Sequence, residues 1–309
     1  MEMLYQRDAY GQTLLELGRQ NKDIVVLDAD LSSSTRTSLF AKEFPERFFN
    51  FGVAEQNMMS TAAGLASCGK VVFVSTFAVF ATGRAWDQVR NSVAYNDFNI
   101  KIVATHAGIT VGPDGASHQA LEDIALMRVI PNMNIIVPSD APQTREAVLA
   151  AAKSSGPFYI RLGRPKVPTI ENKGAFKLGK AQVLTAGNDI AIFACGVMVF
   201  EALTAAKNLL GQGIKAAVVN MHTIHPLDTE TIIQVASRTR GIVVCEEHTV
   251  VGGLASSIQE VVAEKAPVKV LCLGIKNRFG QSGEPSELLK AYNLTSSDIE
   301  KAVFSLCPR

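Results

Sequence analysis

Short runs of β-branched and aromatic residues recur along the first half of the chain, at IVVLD (24–28), FFNF (48–51), VVFVST (71–76), IKIVAT (100–105), NIIVP (134–138) and FYIRL (158–162). Between them, apolar residues fall at helical spacing over 54–67, 83–95 and 141–153. Strands alternating with helices predict a mostly parallel sheet. The stretch 141–153 follows Ser139 and Asp140, either of which can cap a helix, and Pro142 suits its first turn. The pattern breaks over 163–178, where prolines, glycines and polar residues leave no apolar face and predict a linker. A second alternation follows: a strand at 189–195, a helix near 198–210, strands at 215–221 and 241–247, a helix near 253–264 and a strand at 268–274. The reading is an α/β protein of two domains, 1–170 and 176–309, each a mostly parallel sheet covered by helices on both faces.

In such sheets ligands bind beyond the carboxyl ends of the strands. Four consecutive strand ends in the first domain carry Asp30, Ser34, Glu55, Phe77, Phe80, His106, Asp114 and His118. The second domain offers only HTIHP (222–226) and EEH (246–248), so chemistry is expected on the first. Glu55 reads in two ways. It is either a carboxylate stabilised by a helix N-terminus, or a carboxyl in a mostly apolar pocket, poised to give a proton. Phe77 and Phe80 are either core or an aromatic pocket. The loop HAGITVGPDGASHQ (106–119) combines two histidines and an aspartate with four glycines. It is either a solvated turn or a shaped surface for a polyhydroxylated ligand. Arg7, Arg36 and Arg164 are either surface residues or the charge for a phosphate.

Composition narrows the classes. The chain of 309 residues is 47% hydrophobic and 19% charged, which fits either a large core or a wide interface. A net charge of +1 with no basic stripe speaks against nucleic acid. No apolar run approaches the roughly 20 residues that cross a membrane, and the first residues do not read as a signal peptide. Five dispersed cysteines predict reduced, buried thiols in a cytoplasmic protein, without structural zinc. There is no GxxxxGK[ST], no GxSxG and no GxGxxG after the first strand. A phosphorylated cofactor would need its phosphates held elsewhere.

The blocks FNFGVAEQNMMSTAAGLAS, VSTFAVFATGRAWDQVR and THAGITVGPDGASHQALEDIALMRVIPNM resemble the transketolase family, in its order and spacing. The resemblance covers the chain as that family's pyrimidine-binding and C-terminal domains. The family's N-terminal domain, with its GDG…N segment, has no counterpart here, so the chain resembles the C-terminal half of a split transketolase. The resemblance implies transfer of a two-carbon ketol group between phosphorylated sugars, as in the pentose phosphate pathway, with thiamine diphosphate as cofactor. It implies a separate N-terminal partner chain that grips the diphosphate through magnesium or calcium, and two copies of each chain.

By the same resemblance, Glu55 of GVAEQ hydrogen-bonds the aminopyrimidine ring nitrogen, and Phe77 and Phe80 pack around that ring. Asp30 and Leu31 reach the cofactor at the subunit interface. His106 and Asp114 bind the sugar, and His118 gives a hydrogen bond or relays a proton. Arg7, Ser34 and Arg164 bind the sugar phosphate. Two positions depart from the pattern: Gly83, where some members carry tyrosine, and Pro113, where glutamate is usual. The rival readings are half of a 1-deoxyxylulose-5-phosphate synthase, the beta subunit of a 2-oxo acid dehydrogenase, and a non-catalytic assembly partner.

Overall fold

The computed structural model describes residues 2–171 and 174–307. Residue 1, residues 172 and 173 of the expected linker, and residues 308 and 309 lie outside the described residues. Fourteen strands appear among them, in chain order β1 (Met3–Tyr5), β2 (Ile24–Asp28), β3 (Phe48–Asn50), β4 (Val71–Ser75), β5 (Ile100–Ala104), β6 (Asn134–Ile136), β7 (Phe158–Arg161), β8 (Lys166–Pro168), β9 (Gln182–Thr185), β10 (Ile190–Ala194), β11 (Ala216–Asn220), β12 (Thr223–His225), β13 (Ile242–Thr249) and β14 (Val270–Ile275). They build a seven-stranded sheet in the order β12-β6-β7-β5-β4-β2-β3 and a five-stranded sheet in the order β14-β13-β10-β11-β9. Only β12 against β6 and β9 against β11 run antiparallel in these sheets. The strands β2, β5, β10 and β11 are buried at every position, as runs without polar alternation must be when both faces are covered.

One face of the larger sheet packs Ile24, Val26, Phe73, Val103 and Ile160 against Tyr10, Leu14, Phe40, Ala147 and Val148 from helices Gln6–Gln20, Ser38–Glu43 and Ala141–Lys153. The cap of the last helix is Asp140, whose Oδ1 accepts the Gln143 amide at 2.9 Å. The other face joins Val25, Leu27, Val74 and Ile102 to Met58 and Ala62 of helix Glu55–Ser67, and on to Phe193, Val219 and Val244 of the smaller sheet. One apolar layer therefore runs through both sheets.

Four findings depart from the sequence pattern. Residues 83–95 are not one helix: π-helical turns at Phe80–Arg84 and Val89–Ala94 flank a short helix, Trp86–Gln88. The expected linker contains β8, which pairs antiparallel with β1 through Tyr5 and Lys166, Leu4 and Val167, and Met3 and Pro168. Prolines are tolerated on such an edge pair. The strand β12, from the second half, closes the edge of the larger sheet on β6. The cysteines are free, but only Cys195 and Cys245 are buried, and Cys68 is exposed. No helix among the described residues is long and apolar enough to cross a membrane.

Where the halves meet, a charge pair is sealed from water. Arg161 Nε donates to Asp123 Oδ2 at 2.7 Å, and Tyr159 donates its hydroxyl to the same oxygen at 2.6 Å. Arg161 Nη2 donates to the carbonyls of Glu247 at 2.9 Å and Ala120 at 3.3 Å. Burial pushes the Asp123 carboxyl up, but Arg161 and His248 outweigh it and hold it below its ordinary value. Replacing Arg161 with methionine strands that carboxylate. The expected loss is about 3–5 kcal/mol of unfolding free energy, read as a lowered urea midpoint, with Asp123→Asn in the same chain restoring part of it.

Candidate active site

The order β5-β4-β2-β3, all parallel, opens four carboxyl ends on one edge. After β2 the chain turns sharply, with Asp30 at a φ of +64°. Asn50 holds that turn: its Oδ1 accepts the amides of Asp30 and Gly52 at 3.0 Å, and its Nδ2 donates to Asp30 Oδ1 at 3.1 Å. Beneath it the buried Asp28 accepts the Leu31 amide at 2.7 Å and the hydroxyls of Thr35 at 2.7 Å and Thr37 at 2.8 Å. Burial pushes the Asp28 carboxyl up, against the pull of these donors. Asp30 and Leu31 thus lie on a preformed turn, and Ser34 on the short helix Ser32–Thr35 that follows it. Among the described residues no hydrogen bond or ring contact joins Asp30 or Leu31 to Glu55, Phe77 or Phe80.

Glu55 opens helix Glu55–Ser67 with its side chain 1% exposed. Both of its oxygens accept from Arg84 Nη1 at 3.0 Å. Its pocket is therefore not simply apolar: a guanidinium answers the carboxylate, and Arg84 is a residue the sequence reading left without a role. Arg84 ends the π-helical turn Phe80–Arg84, a distortion that collects at functional sites. Its guanidinium carbon lies 4.6 Å from the centre of the Phe80 ring. A flat, nitrogen-bearing group is thus held between this carboxylate and this aromatic face. Beside it a Cβ on Gly83 would meet nothing within 4 Å, so that wall is open.

The rings form a row. Phe77 lies 6.2 Å from Phe80 at 14° between planes, and 3.8 Å from His106 at 21°. One face of Phe77 is thus covered by His106, while Phe80 is partly exposed. His118 stands edge-on to Phe80 at 5.5 Å and accepts or donates with the Ser117 hydroxyl at 2.9 Å. His106 has a φ of +58°, rare for a residue with a side chain. Its Nδ1 meets the Thr105 hydroxyl at 2.9 Å. Burial, helped by Arg7, Arg164 and His118, pushes its imidazole down to about 3, so it is neutral above that pH. A neutral ring can both donate and accept, as sugar hydroxyls require.

The pairing of β1 with β8 brings Arg7 and Arg164 to one cavity of about 490 Å³, also lined by Tyr5, Thr110, Lys166 and Glu284. Arg7 Nη1 donates to the Ser34 carbonyl at 3.3 Å, and its buried Nε has no hydrogen-bond partner among the described residues. Burial, then Arg36, lowers the Arg7 guanidinium from its ordinary value. Arg164 Nη1 donates to the Val111 carbonyl at 2.7 Å, and Nη2 lies 3.9 Å from Asp114 Oδ1. Crowded cations with unused donors are suited to an anion. Arg36 is engaged instead with Asp8 at 2.6 Å. Lys166 was not singled out from the sequence, because only its pairing opposite Tyr5 brings it here. Among the described residues no group of three or more His, Cys, Asp or Glu could hold a metal ion.

Two family profiles match the chain: the transketolase pyrimidine binding domain over residues 2–169 and the transketolase C-terminal domain over 179–299. A Methanocaldococcus jannaschii protein named as a transketolase C-terminal section is 50% identical over 302 residues, covering 96% of this chain and 94% of that protein. A 6-deoxy-6-sulfo-D-fructose transketolase subunit of a Clostridium species is 40% identical over 310 residues, covering 100% and 96%. A solved structure described as a split gene transketolase, inactive beta4 tetramer, superposes with a TM-score of 0.89 at 50% identity, covering 99% of this chain and 98% of that one.

Two measurements check this geometry. Arg84→Ala uncovers a buried carboxylate and is expected to destabilise the free chain by about 1–3 kcal/mol; adding Glu55→Gln should recover most of that, giving a double-mutant coupling energy of about 1 kcal/mol or more in denaturant unfolding. The second concerns pH. His106 and His222 are held neutral in the fold, pushed by burial to about 3 and about 4, against an ordinary value of 6.5. The unfolded chain therefore binds more protons between those values, so stability present above pH 6.5 is lost as pH falls toward 3. Thermal melts across that range should show it, and His222→Asn should flatten the slope.

Proposed function

The chain belongs to the transketolase family, and from that premise we propose that it is the C-terminal subunit of a split enzyme that moves a two-carbon ketol group between phosphorylated sugars with thiamine diphosphate. The observation that carries the reading is the flat guanidinium held between Glu55 and Phe80, which marks a place shaped for a planar nitrogen-bearing group. Residues 1–170 are the pyrimidine-binding domain in this reading and 176–309 the C-terminal one. Glu55 would hold the ring nitrogen of the aminopyrimidine, with Phe77 and Phe80 against the ring and Asp30 and Leu31 at the edge facing the partner. The cofactor supplies the nucleophilic carbon and the electron sink.

This chain's own residues bind and orient the sugar. His106, neutral, and Asp114 hydrogen-bond its hydroxyls. Arg7, Ser34 and Arg164 take its phosphate, with Arg7 Nε free to donate. His118, beside Phe80, relays a proton to or from a sugar oxygen. A separate N-terminal chain holds the diphosphate through magnesium or calcium, with two copies of each chain. The relatives named as a section, a subunit and an inactive split-gene tetramer favour such a division. Phe49 and Val53, 44% and 75% exposed just before Glu55, offer apolar surface to that partner. Free cysteines agree with a cytoplasmic setting.

The test is reconstitution with the partner chain, thiamine diphosphate and magnesium. Xylulose 5-phosphate and ribose 5-phosphate should be converted, pyruvate should not be consumed, and each chain alone should be inactive. Consumption of pyruvate would move the chain to the synthase or dehydrogenase reading, and silence toward every sugar phosphate would favour an assembly role. In the active complex Glu55→Ala should abolish turnover while circular dichroism stays that of a folded chain.

A further inference from the structure

The loop 106–119 is held in shape by the second half of the chain, through groups given no ligand-binding part above. Glu247, in β13, is buried, and its Oε1 accepts the amide of Thr110, midway between His106 and Asp114. The same carboxyl lies against Gly108, where a Cβ would come within 2.3 Å of Glu247 Cδ. Gly108 also has a φ of +84°, so this position needs glycine for both conformation and approach. Glu247 is itself anchored: Arg161 Nη2 donates to its carbonyl at 2.9 Å. Its neighbour Glu246 accepts the amides of Leu254 at 2.8 Å and Ala255 at 2.9 Å.

A second hold lies at the far end of the loop. Gln119 Nε2 donates to the carbonyls of Ile109 at 3.0 Å and Gln281 at 2.9 Å. A Cβ on Gly115 would come within 2.6 Å of Ser282 Oγ. The loop needs such holds. His106, Gly108, Gly112 and Gly115 all lie at positive φ, and a backbone of that kind persists only where its surroundings over-determine it.

We propose that Glu247 is a positioning residue, which sets the spacing of His106 and Asp114 from the second half of the chain and so gives that half a part in sugar recognition without touching the sugar. The sugar-binding role of the loop rests on the function proposed above; the clamp itself does not.

Three variants separate the two. Glu247→Ala removes the acceptor, Glu247→Gln keeps an oxygen for the Thr110 amide, and Leu209→Ala weakens the second half through its core while leaving the Glu247 carboxylate in place. In the free chain, hydrogen exchange over 106–119 should quicken by about tenfold in Glu247→Ala, the worth of one net hydrogen bond, and remain as in the parent for the other two. In the complex with the partner, Glu247→Ala should raise KM for the ketose phosphate about tenfold with kcat little changed. Leu209→Ala should lower the melting temperature and leave KM alone, and Glu247→Gln should restore KM. If Glu247→Ala does not fold, Glu247→Asp, which draws the carboxylate back by one carbon, is read in its place. Unchanged exchange over 106–119 overturns the clamp. Faster exchange with unchanged KM overturns the positioning role. Faster exchange in a complex that converts no sugar phosphate leaves the clamp standing and removes the functional reading instead.

Discussion

A carboxylate that is 1% exposed must be answered by a donor, and the fold is arranged so that Glu55 is answered twice. Glu55 stands in the first turn of helix Glu55–Ser67, where the helix dipole favours negative charge, and Arg84 reaches both oxygens from a different element. Neither answer seals the site. Arg84 is 46% exposed, so one side of the guanidinium faces water. The carboxylate is thus kept dry and paired by the chain's own guanidinium. That condition requires the parallel strands to end together, the π-helical turn at Phe80–Arg84, and the open wall at Gly83.

The remaining site residues are placed by three independent anchors. Asn50 and the buried Asp28 fix the turn bearing Asp30 and Leu31, from which the short helix with Ser34 begins. The pairing of β1 with β8 draws Arg7 and Arg164 into one cavity from opposite ends of the first half. Glu247 and Gln119 fix the loop bearing His106 and Asp114. Of the side chains among these anchors, Asp28, Gln119 and Glu247 are buried, whereas Asn50 is exposed and holds its turn from the surface.

The sequence pattern was informative where chemistry and periodicity coincide. Uninterrupted β-branched runs such as IVVLD and IKIVA mark buried parallel strands, and their ends carry the polar residues that the structure gathers on one edge. It was silent where the decisive partner is far along the chain. The strand β8 is short, preceded by Pro165 and ending on Pro168, and becomes a strand only because β1 lies opposite. Helix Gln6–Gln20 carries Gly11 and Gly18, which lower its helical signal; both are there for contact, since a Cβ would come within 2.6 Å of Arg36 Cβ and 2.5 Å of the Phe40 ring. Arg84 escaped notice because a π-helical turn, invisible to a period of 3.6, decides where its side chain goes. The EEH run at 246–248 looked chemically poor because its task is to hold rather than to react.

The edge position of β12 bears on how such a protein can be inherited. Residues Thr223–His225 close the larger sheet against β6, so a cut between the halves would leave that sheet with a bare row of amides and carbonyls along β6. It would also open the apolar layer common to both sheets. Genes can be broken and rejoined at many places, but a break here would produce two sticky fragments. A break placed between the halves is therefore costly to both fragments.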